Sequence, residues 1–163
     1  MKRFFVFTLI ALFATTGLLL TNLSAYDDDG DYGYAGVPYE NVYGYAWVTV
    51  WYDTEFSIPK SYHHFFLTNG GGVPVACYNL FEADVDGPSV VLPQSKGDFR
   101  WVPINDEASD THTFSFDMSN KDDGPYTIYG STDVDIEADF NNDGETESTE
   151  SWGASASYDF EKE

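Results

Sequence analysis

Residues 133–160 read DVDIEADFNNDGETESTESWGASASYDF, and their alternation decides the fold of this chain. Before the central turn, apolar side chains occupy every second position and carboxylates occupy the positions between them. After the turn, the apolar positions from Trp152 to Phe160 again share one parity. Side chains of a β-strand point alternately to its two faces, so the pattern predicts a β-hairpin with one apolar and one polar face.

The register of this hairpin follows from its two apolar faces, which must lie on the same side of the sheet. A three-residue loop, Asn142-Asp143-Gly144, meets this requirement with its glycine in the left-handed conformation. Val134 then lies opposite Trp152, and Asp139 lies opposite Glu147. Like charges directly opposite each other destabilise a sheet by up to about 1 kcal/mol. A hard cation held between these carboxylates would therefore stabilise the hairpin.

Residues 139–150, DFNNDGETESTE, also fit a twelve-residue calcium-loop pattern, with oxygen donors at positions 1, 3 and 5, Gly at 6 and Glu at 12. The segment resembles the EF-hand loop, and this resemblance implies calcium as the cofactor. The flanks alternate like strands, so the resemblance covers the loop and not the helices of an EF-hand. In a tight hairpin Glu150 lies too far from the turn to ligate, and a solvated acidic turn is the alternative. The candidate ligands are Asp139, Asn141, Asp143, Glu145, Glu147 and Glu150.

The rest of the chain shows short apolar or alternating runs separated by turn residues, without an amphipathic helical stripe. This pattern predicts an all-β fold, a single antiparallel β-sandwich or barrel-like domain over residues 41–163. The predicted strands before the acidic hairpin are Val42–Tyr52, Phe56–Ile58, His63–Leu67, Val73–Ala83, Ser89–Leu92, Asp98–Ile104, Thr111–Met118 and Tyr126–Tyr129.

The N-terminus has the order of a secretory signal peptide: a basic start, an apolar run and small residues before Ala25. Residues 1–25 are predicted to be this signal, and an uncleaved membrane anchor is the alternative. Residues 26–40 are rich in Asp, Gly and Tyr without a helix or strand period, which predicts a flexible leader. We therefore expect a secreted, periplasmic or cell-surface protein.

The chain is strongly acidic, with 7 basic and 28 acidic residues and a formal net charge of −21. Without Lys2 and Arg3, 5 basic residues remain against the 28 acidic ones, a net charge of −23. Such a charge repels nucleic acid and anionic lipid and attracts divalent cations or basic partners. General solubility or adaptation to salt is the alternative, and it predicts carboxylates spread evenly over the surface. The weaker cation candidates are Asp27, Asp29 and Asp31, and then Asp84 and Asp86, with a solvated turn as the alternative for each set. The single cysteine, Cys77, is predicted to be a small buried apolar residue.

Three aromatic residues of the first long strand, Tyr45, Trp47 and Trp51, share one parity opposite Ala46, Val48 and Val50. If the small residues form the core, the three rings form an exposed strip that can stack on sugars. The interpretation we favour from the sequence is that the strip packs against the second sheet.

The chain contains no nucleophile elbow, phosphate loop, dinucleotide fingerprint or His-Glu-x-x-His motif. We therefore expect a non-catalytic exported module, with a glycan or a protein at the cell surface as its partner and calcium as a possible stabilising ion. A carbohydrate-binding module that uses the aromatic strip is the alternative, and a secreted hydrolase is a third.

Overall fold

The computed structural model describes residues 26–35, 42–138 and 148–163, and every regular element in these ranges is a β-strand. The predicted signal peptide lies outside the described residues. Across the described ranges, no helix is long and apolar enough to cross a membrane. The strands are β1 (Tyr26–Ala35), β2 (Val42–Asp53), β3 (Ile58–Asn69), β4 (Val75–Asp86), β5 (Gln94–Val102), β6 (Asp106–Ser115), β7 (Gly124–Ala138) and β8 (Ser148–Lys162).

The eight strands form two antiparallel sheets that pack face to face, so the predicted β-sandwich is confirmed. The first sheet has the order β1-β2-β3-β6, and the second has the order β5-β4-β7-β8. The core lies between them, where alternate side chains such as Val48 and Phe65 meet Phe81 and Ile136, all fully buried. Cys77 is also buried, as predicted, and burial raises the pKa of its thiol to about 11.

The C-terminal hairpin has the register that its alternation predicts, with Val134 opposite Trp152 in the β7–β8 pair. The apolar side chains of both strands face the core, and the last described pair is Ala138 with Ser148. Residues 139–147, which include the predicted turn, lie outside the described residues. The β7 strand is longer than predicted, because Gly124–Ala138 forms one continuous strand where the sequence indicated two shorter ones.

Three predictions of local structure are wrong. Residues Tyr26–Ala35 of the expected leader form strand β1, because they pair along their whole length with β2. The expected strand Phe56–Ile58 begins in a turn, since the Asp53 carboxylate accepts the backbone N–H groups of Glu55 and Phe56. The expected strand Ser89–Leu92 belongs to the irregular connection between β4 and β5.

Side chains bridge the two sheets at both lateral edges of the sandwich. At the edge formed by β1 and β8, Asp29 and Asp27 accept the backbone N–H groups of Ser155 and Ser157 at 3.1 and 3.2 Å. These two carboxylates therefore link strand β1 of the first sheet to strand β8 of the second.

At the opposite edge, donors on β5 reach the backbone carbonyls of β6. Gln94 donates to Ser115 O at 3.0 Å, and Arg100 donates to Ser109 O at 3.0 Å. Carboxylates thus meet free N–H groups at one edge, and amide or guanidinium donors meet free carbonyls at the other. Satisfied edge groups are poor templates for pairing with another chain.

Candidate ligand-binding face

The outer face of the first sheet is a continuous aromatic surface, which we call the aromatic face. The expectation that the strip on β2 packs against the second sheet is wrong, because Ala46, Val48 and Val50 occupy that side with no exposed area. The strip is therefore directed outward, and Trp47 keeps 36% of its surface exposed. The aromatic face comprises Tyr43, Tyr45, Trp47 and Trp51 from β2 and Tyr62, His64 and Phe66 from β3.

The residues from β3 were missed by sequence reasoning. The β2–β3 register places Tyr45 beside Phe66 and Trp47 beside His64, so each strand extends the surface of the other. The signal was present in the sequence as the alternation of Tyr62, His64 and Phe66. Without the strand pairing, however, the sequence could not show that these three residues lie on the same face as Trp47.

Contacts within the aromatic face hold its rings in place. The Tyr45 hydroxyl lies 2.7 Å from His64 Nε2, and its ring stacks on Phe66 at a centroid distance of 5.7 Å. The indole N–H of Trp47 donates to Thr49 Oγ1 at 2.9 Å. Rings that are already ordered lose little side-chain entropy when a ligand binds, which favours affinity.

Among the residues of this face whose side chains are described, the charged ones lie near its ends, and the β1–β2 register adds Asp28 beside Thr49. Lys60 and Asp53 form an ion pair at 2.7 Å near the β2–β3 turn, and this hydrogen bond lowers the pKa of Asp53. Glu107 lies at the other end, beside Thr68. Between these charges, β2 and β3 offer aromatic rings and hydroxyl groups for contact.

The outer face of the second sheet is acidic by contrast, and we call it the acidic face. Its described positions carry no lysine or arginine. Described carboxylates are thus more numerous on this face than on the aromatic face, although Tyr78, Phe99, Trp101 and Tyr129 are exposed here as well. Partial desolvation, together with the neighbouring Asp135 charge, raises the pKa of Asp133, although this side chain still contacts solvent. The carboxylates of the acidic face are Glu82, Asp84 and Asp86 on β4, Asp133, Asp135 and Glu137 on β7, and Asp159 and Glu161 on β8.

Most of the predicted calcium ligands cannot be placed. Glu150 lies on β8, exposed and opposite Ile136. The other five candidates, Asp139, Asn141, Asp143, Glu145 and Glu147, lie outside the described residues. Among the residues that the structure does describe, no group of three or more His, Cys, Asp or Glu side chains is placed to hold a metal ion.

The two adjacent histidines point to opposite faces, as the strand period requires. His64 belongs to the aromatic face, whereas His63 is fully buried in the core. Its Nδ1 lies 3.0 Å from Thr132 Oγ1 on the second sheet, and its Nε2 lies 2.9 Å from Ser61 Oγ. Burial lowers the pKa of His63 to about 4, so the ring is neutral near pH 7. Since it has no contact with solvent, His63 is a structural bridge between the sheets.

A depression of about 620 Å³ lies on the acidic face. Glu82, Asp84, Tyr129 and the hydroxyl groups of Ser131 and Ser155 are among its lining residues. Its lining combines apolar area, including the Tyr129 ring, with serine hydroxyls and carboxylates.

A comparison of the chain with models of known protein families finds no match, and a comparison with curated proteins finds none either.

Proposed function

We propose that this protein is an exported, non-catalytic binding module whose aromatic face binds an extended glycan. The observation that carries the proposal is the outward direction of Tyr45, Trp47 and Trp51 on a sheet whose other side is fully buried. The apolar C–H faces of sugar rings pack on such aromatic surfaces, and each ring so covered removes a large apolar area from water.

The breadth of the aromatic face favours an extended ligand over a small one. Rings follow β2 from Tyr43 to Trp51 and continue onto β3, and positions two apart on a strand are spaced roughly 7 Å. A surface of this kind contacts several units of a polymer at once. The Tyr45 hydroxyl and the Thr49 hydroxyl lie among the rings and supply polar contacts that orient sugar hydroxyls.

The proposal is tested by binding of residues 26–163 to insoluble polysaccharides and to an array of soluble glycans. We expect Trp47→Ala and Trp51→Ala each to weaken binding at least about tenfold, because truncation of an aromatic anchor costs about 2 kcal/mol. Trp101→Ala is the matched control, since Trp101 is exposed on the other sheet. Glycan binding that survives both β2 substitutions, or that Trp101→Ala abolishes equally, would contradict the proposal.

A further inference from the structure

A second group of exposed apolar side chains lies where β4 and β5 meet on the acidic face, and we call it the aromatic corner. It consists of Tyr78, Leu80, Phe99 and Trp101, and Trp101 is 59% exposed. The rings contact one another, with centroids 4.8 Å apart for Tyr78 and Phe99 and 6.2 Å apart for Phe99 and Trp101. Contiguous groups of exposed apolar side chains often mark a binding surface for a protein or a ligand.

A glycine on β5 leaves a recess in the surface of the aromatic corner. Gly97 lies between the rings of β5 and Ser95, opposite Leu80, and contributes no side chain to the surface. A depression of about 440 Å³ results, lined by Tyr78, Leu80, Phe99 and Asp135 among others. The corner therefore has a recess with aromatic walls and a carboxylate at its margin.

A row of carboxylates borders the corner along β7. The β4–β7 register places Asp133 beside Leu80, Asp135 beside Tyr78 and Glu137 beside Ala76. Neighbouring strands lie about 4.8 Å apart, so each of these three β4 residues has a carboxylate beside it on β7. Burial raises the pKa of Asp133, and the neighbouring Asp135 charge raises it further. The ligand that best complements this surface is cationic.

Every described lysine and arginine of this chain already contacts another group, so none is available to this surface without loss of that contact. Each of the five donates to a partner elsewhere: Lys60 to Asp53, Lys96 to Asp110, Arg100 to Asp98, Lys162 to Asp123, and Lys121 to the Val90 carbonyl. A second copy of this chain would have to break such a pair to supply a cation. The complementary charge therefore comes from a different molecule.

We propose that the aromatic corner and the β7 carboxylates bind an extended, arginine-bearing segment of a partner protein. A guanidinium stacks on an aromatic ring and forms paired hydrogen bonds with a carboxylate at the same time, which a compact ammonium does less well. The three carboxylates lie at alternate positions of β7, roughly 7 Å apart, and this is also the spacing of alternate residues in an extended peptide. Arginine at every second position of the segment matches this row.

The test is a calorimetric titration of residues 26–163 with a capped Gly-Arg-Gly-Arg-Gly-Arg-Gly peptide, and with its lysine and glutamate counterparts. We expect the arginine peptide to bind more tightly than the lysine peptide, and the glutamate peptide not to bind. Trp101→Ala, Phe99→Ala and Asp135→Asn should each weaken arginine-peptide binding roughly three- to thirtyfold.

Two matched variants distinguish this site from diffuse attraction to an acidic protein. Asp159→Asn removes the same charge from the far end of the acidic face, and Trp47→Ala removes a ring from the aromatic face; both should retain affinity within about twofold. The proposal is overturned if the arginine peptide does not bind, if Asp159→Asn weakens binding as much as Asp135→Asn, or if both corner ring substitutions leave affinity unchanged. It stands apart from glycan binding, because Trp101→Ala should leave glycan binding intact.

Discussion

Buried His63 should make the stability of this protein depend on pH between about 6.5 and 4. The hydrogen bonds of the ring define its neutral form. Thr132 Oγ1 donates to the Trp47 carbonyl at 3.0 Å, so its oxygen is free to accept the Nδ1–H of His63. Nε2 is then the unprotonated nitrogen, and it accepts the Ser61 hydroxyl hydrogen. Protonation of Nε2 would remove this acceptor and place a charge in the core.

The magnitude follows from the pKa of His63, which burial lowers from 6.5 to about 4, with a smaller contribution from the neighbouring His112. Each pKa unit corresponds to 1.36 kcal/mol, so the difference between the folded and unfolded states is worth about 3 kcal/mol. Because the unfolded chain binds the proton first, the free energy of unfolding is unaffected above pH 6.5. It falls as the pH is lowered to 4, and below pH 4 His63 causes no further loss.

The assay is urea unfolding at closely spaced pH values from 7.5 to 4, compared between the parent protein and His63→Gln, which does not titrate. We expect the parent to lose about 3 kcal/mol more than the variant across this range, although the variant is less stable at pH 7. His64→Gln is the matched control and should keep the slope of the parent, since His64 lies on the aromatic face. Parallel stability curves for the parent and His63→Gln would refute the reasoning.

Four carboxylates titrate mainly below this window, and Asp133, whose pKa is raised by burial, is present in both the parent and His63→Gln, so the comparison between the two proteins cancels its contribution. Hydrogen bonds and ion pairs lower the pKa of Asp53, Asp98, Asp110 and Asp117 below 3.8, the ordinary value of an aspartate. Their contribution to stability is present above that value and is lost as the pH falls through their lower folded pKa values. Most of that loss lies below the pH range in which His63 titrates.

Two further predictions concern packing and calcium. Gly44→Ala should lower stability by about 1–3 kcal/mol, because its Cβ would overlap the Trp152 ring and lie 2.8 Å from the Phe66 carbonyl. Calorimetry against Gly72→Ala, whose Cβ meets nothing within 4 Å, provides the comparison, and equal melting temperatures would contradict this account. If the acidic hairpin holds calcium, millimolar calcium should raise the melting temperature more than magnesium does, by mass action. Asp139→Asn with Asp143→Asn should remove that difference, and equal shifts with both ions in the parent would leave a plain charged turn.

The strand register at the C-terminal end of the chain was predictable from the local pattern of the sequence, whereas strand β1 near the N-terminal end was not. The register of β7 and β8 was predictable because a slip of one residue would expose Val134 and Trp152 and bury their acidic neighbours. Strand β1 was not predictable, because Asp and Gly have low strand propensity and no apolar period. It is a strand in the folded protein because β2 supplies backbone partners and β8 supplies N–H groups for Asp27 and Asp29.

The sequence by itself determined the all-β class, the buried cysteine and the pairing within the C-terminal hairpin, since each depends on a period of two or on local apolar composition. Only the tertiary structure decided which face of β2 is exposed, because both parities of that strand are apolar and the choice rests on the sheet that covers Val48 and Val50. It also decided where the exposed rings and the carboxylates gather. The position of these surfaces depends on which strands are neighbours in each sheet. No single segment of the sequence encodes that strand order, because the paired strands are far apart along the chain.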